Sequence, residues 1–163
     1  MQSPTHEPQN YHCPFCLVLA GIVNEHVRSR PEEIVYRDDT VAVLISTRWW
    51  AAAPGQALVI PIKHYENIYT IPSEIHHAMA DMTQKVAIAM RQSYPDCTGI
   101  STRQHNEPDG GQDVWHMHIH VFARTLNDKF YTRQEELIDS APEQRLKYVE
   151  ILRPALEKST VTF

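Results

Sequence analysis

No apolar run in this sequence approaches the roughly 18–20 residues needed to span a bilayer, so a helical membrane span is excluded. The first ten residues lack both the basic start and the apolar core of a secretory signal. Positive charge is also scarce: 15 Lys and Arg stand against 20 Asp and Glu, for a net charge of −5. A protein that embraces nucleic acid by bulk electrostatics needs a basic face, so that class is excluded, although a basic spot for one phosphate is not. Three cysteines cannot build a disulfide framework. With no internal repeat, low-complexity tract or domain boundary, the expectation is a soluble, cytoplasmic protein with one domain over residues 11–163, preceded by a flexible tail over residues 1–10.

What is present reads as alternating strands and helices. Segments 33–38 and 40–46 carry β-branched residues around Arg37-Asp38-Asp39, a hairpin signal. The stretch 47–55, with Trp49-Trp50, reads as a loop, and 56–62 as a third strand. After Ser73, the residues Ile75, Met79, Met82, Val86, Ala89 and Met90 recur at spacings of three and four, which predicts a long amphipathic helix ending near Tyr94-Pro95. Strands follow at 98–103 and 114–123, and Ser140-Ala141-Pro142-Glu143 reads as a capping box opening a helix through about Glu157, within a C-terminal helical extension over about 132–158. Short hairpin connections exclude a chain of βαβ crossovers, leaving an α+β domain with a mostly antiparallel sheet.

Chemistry concentrates in 115–122, Trp-His-Met-His-Ile-His-Val-Phe. On a strand, His116, His118 and His120 share one face while Met117, Ile119 and Val121 share the other. A half-buried strand with a polar face is the plain alternative, but histidine supplies only 10 of 163 residues, so three in register call for a function. The preceding Gly110-Gly111-Gln112 is either an ordinary turn or a backbone cradle for an anion. Cys13-Pro14-Phe15-Cys16 suggests metal or redox work, against a pair of buried thiols; Cys97 is read as a buried thiol.

The run Asn106, Gly110-Gly111-Gln112, Val114, His116-Met117-His118-Ile119-His120-Val121-Phe122 and Arg124 resembles the signature of the histidine triad (HIT) nucleotide-binding family, His-φ-His-φ-His-φ-φ with φ apolar. The likeness reaches back through Cys13-x-x-Cys16, Tyr36-x-Asp38 and Ala57-Leu58-Val59-Ile60-Pro61-Ile62-Lys63-His64 with Asn67, and forward to Asp128-x-Phe130-Tyr131. Within the family it is nearest the zinc-containing branch related to nucleoside phosphoramidases and dinucleoside polyphosphate hydrolases.

That resemblance implies the HIT fold, with about five antiparallel strands, one long helix and a C-terminal helix, assembled as a homodimer. It implies that His118 attacks the α-phosphorus of a nucleoside phosphate ester, anhydride or phosphoramidate, forming a nucleotidyl-histidine that water cleaves. It further implies that His120, Asn106 and Gln112 hold phosphate oxygens or the leaving group, and that Cys13, Cys16, His64 and His116 bind one structural zinc. Four such ligands leave no open position for water, so the metal stabilises rather than catalyses.

Departures from the pattern bear on the substrate. The family's ribose-binding aspartate is replaced in Leu44-Ile45-Ser46, Asp113 stands where Ser or Thr is common, and Ala123 replaces a frequent proline. Trp49 and Trp50 either stack on a base or pack under the loop or against a second subunit; Arg124 is either a phosphate contact or a surface ion pair. These departures motivate a rival reading as a nucleotide- or partner-binding module with little catalysis. A third reading is a metallohydrolase with a catalytic metal.

Overall fold

The computed structural model describes residues 5–132 and 137–158. Helix α1 (Pro14–Leu19) opens where the Cys13 sulfur accepts the Cys16 N–H, with Pro14 in the first turn, where its missing N–H goes unmissed. It closes at Gly21, whose φ of +73° lets the Gly21 and Ile22 N–H groups reach the Val18 and Leu17 carbonyls. The predicted hairpin forms from β1 (Ile34–Arg37) and β2 (Val41–Ile45), its turn tied by the Asp38 carboxylate accepting the Thr40 and Val41 N–H groups at 2.7 Å each. After β3 (Arg48–Trp50) come β4 (Ala57–Pro61), the long helix α2 (Ser73–Ser93), β5 (Gly99–Gln104), β6 (Ile119–Arg124), β7 (Leu137–Asp139) and α3 (Pro142–Lys158).

Five strands form one antiparallel sheet in the order β1-β2-β4-β6-β5. Strand alternation splits it into two cores. Val41, Val43, Ile45, Ala57, Val59, Met117 and Val121 face α2 and α3, meeting Met79, Met82, Val86, Met90, Val149 and Leu152. Ala42, Leu44, Leu58 and Ile60 face Phe15, Val18 and Leu19 of α1. Each fully buried aliphatic or Met side chain contributes about 1.5–3 kcal/mol, so α2 holds one face shut while the thinner α1 side leaves room for a site. No helix among the described residues is long and apolar enough to cross a membrane.

Several sequence expectations shift. The histidine strand was expected over 114–123, but ladder pairing begins only at Ile119, opposite Val59 of β4 and Gln104 of β5. Before it the His116 N–H turns back to the Val114 carbonyl in a bend and the Met117 N–H goes to the Tyr65 carbonyl, so this approach to β6 runs outside the sheet ladder. The stretch expected as a loop at 47–55 contains β3, which pairs with β7 in a separate two-stranded sheet. That strand also interrupts the helical extension expected over 132–158, of which residues 133–136 lie outside the described residues. The capping box moves by one position. Ser140 donates to the Thr47 carbonyl (2.9 Å), and Gln144 instead accepts the Ala141 N–H (2.9 Å). Residues expected as a flexible tail make contacts: Thr5 and the His6 N–H both bond the Glu66 carboxylate.

Nothing in the sequence pattern announces the buried pair Glu33–Arg145, 2.6 Å apart with side chains 0% and 4% exposed. Arg145 also bonds the carbonyls of Ser140 and Arg28, so it ties α3 to β7 and to the segment before β1. Removing one partner strands a charge in the interior. Arg145→Met alone is expected to cost about 3–5 kcal/mol, whereas Glu33→Gln with Arg145→Met recovers a large part of it. Urea unfolding of the two variants checks this; equal losses would contradict it.

Candidate active site and metal centre

The sulfur and imidazole atoms of Cys13, Cys16, His64 and His116 converge, all lying within 4.8 Å of one another. The His116 Nδ1 is 3.3 Å from the Cys13 sulfur and 3.5 Å from that of Cys16, and the His64 Nδ1 is 3.4 Å from Cys16. Tetrahedral zinc, with about 2.3 Å to sulfur and about 2.0 Å to nitrogen, sets S and N about 3.5 Å apart. The tautomers fit as well. The far nitrogen of His116 meets the Pro61 carbonyl (3.0 Å) and that of His64 meets the Glu7 carboxylate (2.8 Å). Both partners accept only, so each Nε2 carries the proton and each Nδ1 presents its lone pair to the metal position. The Cys16 thiol is held well below its ordinary range, chiefly by its hydrogen bond with Cys13, while that partnership and burial push the Cys13 thiol up. Thiolate character is what a zinc ligand needs, and the four residues fit structural zinc.

Glu7, which the sequence offered as part of a tail, is thus an outer partner of the metal centre. Loss of such a partner typically costs 10–100-fold in metal affinity. Glu7→Ala is expected to release zinc at least about tenfold faster to a chromophoric chelator, and an unchanged rate would show that the carboxylate does not orient His64.

The second histidine has a different partner. His118 is buried, and its Nδ1 lies 2.7 Å from the His116 carbonyl. A carbonyl only accepts, so Nδ1 carries the proton and Nε2 keeps its lone pair. Burial holds this imidazole below its ordinary pKa, in the neutral form that can act as a nucleophile. Phe15 lies edge-on to both His116 and His118, at 5.6 and 5.3 Å between centroids, which fixes α1 over the two rings. His120 follows at 4.8 Å from His118. Burial first, then the facing His118, His105 and Arg103, keeps it well below its ordinary pKa, and its buried Nδ1 has no hydrogen-bond partner among the described residues.

His118 and His120 open onto a cavity of about 490 Å³, which reaches from Phe15 and Leu58 to Arg103 and Trp50. Gly111, at φ +82°, borders it, and a side chain at Gly110 would collide with the Asn106 carbonyl, so both glycines are required by the turn. Asn106 and Gln112 serve the frame of this loop. Asn106 accepts the Ile68 N–H (2.9 Å) and exchanges hydrogen bonds with Gln104; Gln112 accepts the Glu107 N–H (2.9 Å) and donates to the Glu66 (2.6 Å) and Val114 (3.0 Å) carbonyls. Neither lines the cavity.

The departures noted in the sequence also find places. The Ser46 hydroxyl donates to the Arg48 carbonyl (2.6 Å), so at this position a hydroxyl already engaged with the backbone stands in place of a carboxylate. Asp113 is exposed and lies 3.9 Å from Arg48. Trp49 is buried against Tyr148, and Trp50 packs on Phe122 and Phe130 while bordering the cavity. Arg124 is an ion pair, gripping both oxygens of Asp128 at 2.6 Å and holding that carboxyl down to about 2. Sequence reading passed over Arg103, His105 and Glu7. Only the two-residue spacing of Arg103 on β5 and His105 just past its end could have flagged two of them.

An antiparallel α+β domain with a neutral buried imidazole facing a cavity, beside a Cys₂His₂ zinc centre, defines a histidine-triad type of protein. Residues 27–127 match the family model described as the HIT domain, and the chain belongs to that family. It is 30% identical over 112 residues to Protein hit of Bacillus subtilis, covering 69% of this chain and 70% of that protein. Among solved structures, a zinc-bound histidine triad family protein from Mycobacterium smegmatis superposes with a TM-score of 0.72 at 27% identity, over 90% of this chain and 94% of the other. A Hit-like protein from Bartonella henselae, described as involved in cell-cycle regulation, gives 0.72 at 25%, over 92% and 99%. Membership of this family supports nucleotides as the ligands.

Proposed function

We propose that this protein is a nucleotide hydrolase or transferase acting on the α-phosphorus of a nucleoside phosphoramidate, ester or polyphosphate. The observation that carries the reading is the 2.7 Å bond from the His118 Nδ1–H to the His116 carbonyl, which leaves the Nε2 lone pair for the substrate. In the first step Nε2 bonds to phosphorus as the bond to the leaving group breaks, its electron pair departing on the leaving oxygen, or on a leaving nitrogen that takes up a proton from solvent and departs as the amine. In the second, water attacks phosphorus, the P–N bond returns its pair to Nε2, and the surplus proton passes to solvent. One difficult displacement becomes two easier ones. His120 assists at the phosphoryl group, while Asn106 and Gln112 act as positioning residues through the Gly110-Gly111 turn. The reading includes a homodimer in the cytoplasm, where three free cysteines stay reduced.

A panel of adenosine, guanosine and uridine phosphoramidates and dinucleoside polyphosphates tests it: turnover of at least one is expected. A binding module with little catalysis is the second reading, favoured by the full engagement of the Asn106 and Gln112 amides in the loop. Thermal protection by nucleotide without product from any member of the panel would establish it instead.

A further inference from the structure

Strand register fixes the order of three residues across the floor of the cavity. Leu58 of β4, His120 of β6 and Arg103 of β5 are direct cross-strand partners, so they form a row on one face of the sheet, and all three line the cavity. Beside Leu58, Pro14 and Phe15 of α1 and Val114 supply apolar lining, next to the polar His26, Arg28 and Ser29. On the β5 side the wall is cationic and aromatic, with Arg103, His105 and Trp50. The histidine rings lie between, Phe15 to His118 at 5.3 Å and His118 to His120 at 4.8 Å.

Arg103 is held in an unusual way. Its guanidinium carbon lies 4.6 Å from the centroid of Phe130, 5.1 Å from Trp50 and 5.4 Å from Tyr131. Rings orient a guanidinium without consuming its N–H donors. Among the described residues no carboxylate pairs with it, whereas Arg28 and Arg48 are each within reach of Asp139, and Arg124 is gripped by Asp128. Arg103 therefore borders the catalytic cavity as a fixed cation with unspent donors.

We propose that Arg103 is a specificity-determining residue that contacts an anionic leaving group, so that the substrates of this site carry a second phosphoryl group beyond the one attacked. The proposal rests on the hydrolase reading above. With the flat face of the base against Leu58 and Phe15 and the attacked phosphorus at His118, the leaving group projects toward β5. When the P–O bond breaks, its electron pair adds negative charge to a departing phosphate, and a guanidinium there compensates that charge bidentately. An uncharged amine leaving group has no such need.

The test compares wild type, Arg103→Gln and Arg103→Lys on two substrate sets sharing a nucleoside: symmetrical dinucleoside triphosphates and nucleoside 5′-phosphoramidates with neutral amines, each of adenosine, guanosine and uridine. Arg103→Gln is expected to lower kcat/KM at least tenfold more for the triphosphates than for the phosphoramidates. Arg103→Lys, keeping the charge and losing the fork, should fall between. A structural role in the ring cluster alone would lower both sets in proportion, and that outcome, or no loss on either, overturns the assignment of Arg103 while leaving the hydrolase reading standing. A wild-type protein that turns over neither set overturns the hydrolase reading and this assignment with it. Circular dichroism and zinc content confirm that each variant is folded.

Discussion

His118→Ala is expected to lower turnover by at least about a thousandfold, with zinc content staying near one per chain. On the proposed mechanism, losing this ring removes covalent catalysis altogether, whereas the four metal-fitting side chains do not include it. A buried imidazole leaves a cavity when truncated, so His118→Asn is the companion variant; its amide can still donate to the His116 carbonyl. Kinetics and metal analysis of the two variants beside His116→Ala separate the roles of neighbouring histidines. Equal zinc loss from the His116 and His118 variants would contradict the division.

Loss of the metal carries the other large effect. Cys13→Ser or His116→Ala is expected to release zinc and lower thermal stability sharply, since the centre joins α1, the end of β4 and the approach to β6. At zinc a thousandfold above its Kd, linkage alone supplies about 4 kcal/mol, or roughly 8–16 °C in Tm for a chain of this size. Activity should fall with it, because the His116 carbonyl that fixes the His118 tautomer belongs to a metal ligand. Differential scanning calorimetry with and without chelator measures the effect. Turnover that stops on chelation with Tm unchanged would instead mark the metal as catalytic.

Much of this was legible in the residues. The spacing of Met79, Met82, Val86, Ala89 and Met90 predicts α2 and its buried stripe, because helical periodicity is a local property. Two-residue alternation puts Met117 and Val121 in the core and leaves the histidines to the other face, even where no ladder forms. The metal set is different. Cys13 and Cys16 are visible as a pair, but their union with His64 and His116 came only from family resemblance, since spacing gave no link. Contacts set by tertiary packing were not legible at all. Glu7 and His64 are 57 residues apart, and no periodicity joins them. The same holds for Glu33 with Arg145, and for β3, whose three residues become a strand only because β7 arrives beside them. Asn106 and Gln112 carried a family role toward phosphate, while their amides are committed to the loop, a distinction that depends on side-chain direction and not on residue type.

The central claim is covalent chemistry at one imidazole nitrogen. Rapid quenching under alkaline conditions during turnover of a nucleoside phosphoramidate, followed by peptide mass spectrometry, tests it most directly. The account predicts a nucleotidyl adduct on His118 that forms and decays at rates matching turnover; turnover with no adduct, or an adduct on His120, would contradict it.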